Sequence, residues 1–162
     1  MSDFIGDRGE ALTRARLTKI VRKNDTPFFR TYRLDSKAET LDFYVELVVA
    51  GKKRPYFFVQ AKATRAGYTF RNDPVRERLC VQATKAKLEK LALFPAPTYL
   101  VGIDEDLERL FIISMRKKPT RNISSITTRY ELNPQNLRLL WREVRDYWRG
   151  KKMRQTSSCF DE

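Results

Sequence analysis

Leu41-Asp42-Phe43-Tyr44-Val45-Glu46-Leu47-Val48-Val49, then Gly51-Lys52-Lys53-Arg54-Pro55, then Tyr56-Phe57-Phe58-Val59-Gln60-Ala61-Lys62-Ala63 form the stretch on which the fold turns. Aromatic and β-branched residues fill the two outer segments, and Gly and Pro bracket the basic residues between them, so the stretch predicts a β-hairpin with a short loop. Side chains two apart on a strand share a face. Gln60 and Lys62 therefore lie together, opposite Phe57, Val59 and Ala61. On the preceding strand Asp42, Tyr44 and Glu46 lie opposite Phe43, Val45 and Leu47. One apolar face fixes the register, because a slip of one residue would turn it to the solvent. A carboxylate, an amide and an ammonium are left on strands otherwise dense in apolar groups. If both faces of the sheet are covered, these groups are partly buried, and buried charges need partners.

Outward from the hairpin, residues 3–23 predict a helix with Phe4, Ile5, Leu12, Leu17 and Ile20 on its apolar side, and residues 27–34 a strand. After the hairpin come a polar loop over 65–76 and a helix over 77–93, stopped by Pro95 and Pro97. Strands follow over 98–103 and 109–115, then a basic irregular segment over 116–130. Asn133-Pro134 opens a last helix to about Arg149. The expected organisation is α/β: a single domain over 1–149 and a disordered tail over 150–162. A helix between the hairpin and the next strand implies a crossover, and hence a mixed sheet flanked by helices.

Composition narrows the chemistry. The 33 Lys and Arg residues against 20 Asp and Glu give a net charge of +13, a field that gathers polyanions. Nucleic acid is the expected partner. An anionic membrane surface is the electrostatic alternative, for which the last helix could serve as a basic amphipathic helix; no run approaches the about 20 apolar residues that span a bilayer, and no membrane partner is expected. The chain has no histidine, which excludes Ser-His-Asp triads, Cys-His pairs and His-ligated zinc. Two separated cysteines, Cys80 and Cys159, predict neither a disulfide nor a zinc site, and with no secretory leader they indicate the cytoplasm. Catalysis, if present, must run on carboxylates, lysine, tyrosine or a hard cation held by oxygen. Mg²⁺ or Mn²⁺ suits that inventory: Asp42 offers a carboxylate, Gln60 an amide oxygen and Ala61 a carbonyl at the same level. Lys62 beside them could orient or deprotonate a water, or neutralise charge on a phosphorane.

Asp42 followed eighteen residues later by Gln60-Ala61-Lys62 resembles the PD-(D/E)XK nuclease superfamily, whose last motif is Glu-x-Lys or, in a minority that includes Mrr-like enzymes, Gln-x-Lys. Gly6 and Gly9-Glu10 are similar to the helix start of Holliday-junction-resolvase-like members, in which the helix glutamate joins the metal site. Pro97-Thr98-Tyr99-Leu100-Val101 is similar to the strand that follows the middle helix in a branch often found near defence genes. The resemblance covers residues 4–103. It implies an αβββαβ restriction-endonuclease-like core, here with an extra strand and a C-terminal helix. It also implies a metal-dependent endonuclease acting on DNA ahead of RNA, with a setting in defence, restriction or mobile-element maintenance. Asp42, Gln60, Lys62 and Glu10 would be the catalytic set, and Asp42, Gln60, Glu10 and the Ala61 carbonyl the metal ligands. The sequence departs from the commoner pattern at Gln60, which removes a negative charge from the site. A homodimer is compatible with cutting two strands.

Three groups are candidate nucleic-acid contacts. Arg65, Tyr68 and Arg71 follow Lys62 and could clamp and stack a base. Lys85, Lys87 and Lys90 with Thr84 make a basic group on the middle helix, of which Thr84 and Lys85 are the candidate substrate contacts. Arg138, Arg142 and Arg145 form a basic stripe beside the apolar stripe Leu137, Leu140, Trp141, Val144 and Trp148, with Glu143 and Asp146 compensating part of it. Two rival readings use the same charge without chemistry: a non-catalytic nucleic-acid-binding module on the same fold, and a protein-interaction partner that grips an acidic surface.

Overall fold

The computed structural model describes residues 2–35, 40–150 and 157–162; the connection expected over 36–39 and most of the tail, 151–156, lie outside the described residues. Helix α1 (Ser2–Leu17) leads into strands β1 (Phe29–Arg33), β2 (Phe43–Leu47) and β3 (Tyr56–Thr64). Short strands β4 (Tyr68–Thr69) and β5 (Arg78–Leu79) precede helix α2 (Lys85–Ala92). Strands β6 (Thr98–Asp104), β7 (Arg109–Ser114) and β8 (Ile126–Thr127) and helix α3 (Pro134–Arg149) complete the order.

The hairpin of β2 and β3 is antiparallel, with Phe43 opposite Val59 and Val45 opposite Phe57. Strand β6 returns parallel to β3, placing Gln60 beside Leu100 and Lys62 beside Gly102. The main sheet is therefore mixed and five-stranded, in the order β1-β2-β3-β6-β7. Its two faces are both covered. Phe43, Val45, Phe57, Val59, Tyr99 and Val101 pack toward α1 and α3, with Leu17, Leu137, Leu140 and Val144. Leu100, Phe111 and Ile113 pack on the other face, with Leu88 and Leu91 of α2, Leu79 and Ile126 of a second, smaller sheet, and Val81 just after β5. Gln60 and Lys62, which alternate with Val59 and Ala61, belong to this second face.

The helix expected over 77–93 is corrected to α2, Lys85–Ala92. Leu79, Val81 and Ala83 are buried at a spacing of two while Gln82 is exposed, which is the period of a strand. Arg78–Leu79 pairs with Tyr68–Thr69 on one side and Ile126–Thr127 on the other, so the expected loop over 65–76 and the irregular segment over 116–130 each give a strand to a three-stranded sheet. Thr84 caps α2 by accepting from the Lys87 N–H. That small sheet seats on β6 at Gly102, where Ile126 and Val81 would collide with any Cβ. Helix α1 stops at Leu17, short of residue 23, because Ile20 turns back to bridge Pro27 through a turn with Asp25 at φ 54°.

Helix α3 matches its expected span, with Asn133 as cap and Pro134 in the first turn. Glu143, expected on its solvated side, is instead buried and accepts from the Tyr99 hydroxyl (2.6 Å), the Ser158 hydroxyl (2.7 Å) and the Cys159 N–H (2.6 Å). The expectation of a disordered tail is corrected for residues 157–162: Phe160 is fully buried against Tyr99 and Tyr130, and its carbonyl accepts from the Ser114 N–H. Cys80 and Cys159 are both free thiols. Among the described residues no helix is long and apolar enough to cross a membrane.

Candidate active site

The ladder between β2 and β3 ends at Phe43 and Val59. One residue further, the Asp42 N–H donates to the Val59 carbonyl at 3.0 Å, and the Asp42 carboxylate accepts from the Ala61 N–H at 2.6 Å. Asp42 thus sits level with Gln60, and its side chain takes the Ala61 N–H where the backbone ladder has ended. The N–H and C=O of one strand residue leave on the same side, so the Ala61 carbonyl also faces the Asp42 edge. Burial raises the Asp42 carboxyl above the usual range, opposed by the Ala61 N–H and by the positive charges of Lys62, Arg33 and Lys87.

Gln60 is 3% exposed, and its Oε1 has no hydrogen-bond partner among the described residues. A buried amide oxygen left unpaired costs about 1–3 kcal/mol, so this atom marks a place where a ligand would be stabilising. Lys62 is half-buried one step along the same face. Burial and the neighbouring Lys87 ammonium lower its pKa, and Asp42 works against that shift.

Glu10 reaches the site because α1 lies almost on β3: a Cβ at Gly9 would stand 2.5 Å from Ala63 Cβ. Its carboxyl is raised by burial first and by the Asp42 carboxylate next. Its Oε2 lies 2.8 Å from Arg33 Nε, and this ion pair works against the rise. Among the described residues no three of His, Cys, Asp and Glu cluster as a metal-holding group. The oxygens gathered here are of other kinds: one carboxylate, one amide oxygen and one backbone carbonyl, with a second carboxylate held by Arg33. All are donors that a hard cation accepts.

The remaining candidates divide by position. Thr84 and Lys85 open α2 beside Lys62, and the Lys85 N–H donates to Asn122 Oδ1 at 2.7 Å. Lys87, Gln82, Asn122 and Ser124 join Lys62 and Thr84 around a cleft of about 390 Å³. Of these Lys87 acts most directly on the site, and the sequence marks it only as one member of the basic group on the middle helix. Arg65 is engaged by Glu105, with Asp106 at 3.6 Å. Tyr68 donates its hydroxyl to Asp104 at 2.5 Å and packs edge-on to Phe111, so its ring is committed to the fold. Arg71 is exposed beside that ring, 6.0 Å from its centre. Arg138, Arg142 and Arg145 are on α3, across the sheet from Lys62; Arg145 lies over Trp141 and pairs with Asp146. The chain matches no protein-family model, no curated protein and no solved structure.

Proposed function

We propose that the chain is a metal-dependent nuclease of the restriction-endonuclease-like type, hydrolysing phosphodiesters in DNA at the end of β3. The observation that carries the reading is the buried, unpartnered Oε1 of Gln60, on the residue next to Ala61, whose N–H the Asp42 carboxylate accepts. With β4 and β5 set apart in the small sheet, the order α1, β1, β2, β3, α2, β6 with β6 parallel to β3 agrees with an αβββαβ core. Asp42, Gln60 and the Ala61 carbonyl would hold Mg²⁺ or Mn²⁺, and Glu10 would complete the set on leaving Arg33. A cation held there supplies a water of lowered pKa and a counter-charge for a phosphate oxygen.

The residues themselves do the rest. Lys62, with its pKa lowered by burial, exchanges a proton with the attacking water more readily than an exposed lysine and, when charged, faces the negative charge of the phosphorane. Lys87 and the first turn of α2 add positive potential on the same side of the cleft. Asp42→Ala should abolish cleavage and leave DNA binding intact or tighter, because a repulsive carboxylate is lost. Cleavage that survives the substitution contradicts the assignment. The hold of Arg33 on Glu10 favours one alternative, a nucleic-acid-binding module without chemistry, which would bind DNA in EDTA and cut nothing.

A further inference from the structure

Between β7 and β8 the chain carries Lys117, Lys118 and Arg121, and beside this connection runs a groove of about 540 Å³. Asn122, Ile123 and Ser124 line both this groove and the cleft at Lys62, so the two adjoin along this segment. Arg78 also lines the groove, fixed by donating from Nε to Ser125 Oγ at 2.8 Å and from Nη2 to the Ser125 carbonyl at 2.9 Å. Two carboxylates of the chain already lie in the groove. Glu162 pairs with Arg78, and Asp161 with Lys117 at 3.2 Å. Buried Phe160 anchors this acidic pair, and Asp161 also accepts from the Ser158 N–H at 3.0 Å, so Asp161 is the fixed member and Glu162 lies beyond it. Lys118 and Arg121 are exposed and make no ion pair among the described residues.

Fixed guanidinium and ammonium groups that already take carboxylates, next to others left to the solvent, suit a chain of phosphates. We propose that this groove is the track along which a nucleic-acid strand leaves the Lys62 cleft, and that Glu162 occupies a phosphate position at Arg78 until the strand displaces it. Only the direction of the track rests on the nuclease reading; binding along it is a separate property of the surface.

The test is fluorescence anisotropy of a short labelled oligonucleotide, single-stranded and duplex, in EDTA across a salt series. Lys118→Glu with Arg121→Glu should weaken binding about tenfold or more and flatten the salt slope by about two ions. Glu162→Gln should tighten it about three- to tenfold, a competing charge having been removed. Asp25→Asn, which removes an equal charge on the turn before β1 where Asn suits the positive φ, should leave affinity unchanged. Lys118→Gln with Arg121→Gln, checked by melting, repeats the weakening without charge reversal. Equal effects of Glu162→Gln and Asp25→Asn, or wild-type affinity in both double variants, would overturn the proposal. A protein that binds along this track and never cuts DNA defeats the nuclease reading alone. One that cuts with an affinity indifferent to positions 118, 121 and 162 defeats the track alone.

Discussion

Asp42 stands where the energetics of folding and the proposed chemistry oppose each other. Its carboxyl is held above the usual range by burial, so the folded chain keeps the proton to higher pH than the unfolded chain. Between those two values the unfolded chain binds fewer protons, and stability falls as pH rises through the window; above it the cost is constant. Asp42→Asn removes the charge, and its Oδ1 can still accept from the Ala61 N–H. The variant should melt a few degrees above wild type near neutral pH, the scale on which about 1 kcal/mol moves a domain of this size. The difference should shrink toward about pH 4, where an ordinary Asp protonates. A thermal melt series over pH checks this, and a variant less stable than wild type at neutral pH would contradict it. Gln60 has the complementary character: uncharged, it can be buried at smaller cost than a glutamate, and its Oε1 remains an unmet acceptor.

Packing of α1 on β3 decides whether Glu10 comes near Asp42 at all. Gly9 permits that approach, since its absent Cβ would meet Ala63 Cβ at 2.5 Å. Gly9→Ala should destabilise the fold by about 1–3 kcal/mol, and Ala63→Gly in the same chain should recover much of the loss, as denaturant unfolding would measure. No recovery would place the strain elsewhere. The hairpin and α3 were legible in the sequence because each shows one clear period, two along Phe43, Val45 and Leu47 and helical along Leu137, Leu140 and Val144. The segment over 77–84 was not, because Leu79 and Ala83 also fit a helical spacing, and the pairing that makes it a strand comes from Ile126, far along the chain. The same non-locality hid the groove. Arg78, Lys117 and Glu162 meet only in three dimensions, and residues 157–162, which read as a disordered polar ending, are held by buried Phe160 and by bonds to Glu143.

Across the whole molecule the net charge of +13 is unevenly used. Several arginines are spent on the fold: Arg8 and Arg65 on buried Glu105, Arg116 on buried Glu143, Arg109 on Glu131. On the α2 side, Lys62 and Lys87 line the cleft and Lys118 and Arg121 the groove that adjoins it. The arginine stripe of α3 lies across the sheet from this cleft, so one duplex docked at Lys62 would meet the α2 side and leave that stripe aside. Residues Asp42, Gln60 and Lys62 were recognisable from their alternation on two neighbouring strands, whereas the cleft needed the β7–β8 connection to close it.

The most direct measurement is cleavage of supercoiled, linear, branched and single-stranded DNA in Mg²⁺ or Mn²⁺, wild type beside Lys62→Ala, with binding followed in parallel. Metal-dependent cutting by the wild type, lost in Lys62→Ala with binding retained, is the predicted result. Salt-sensitive binding with no cutting of any substrate would contradict it and leave a nucleic-acid-binding module built around an unused carboxylate.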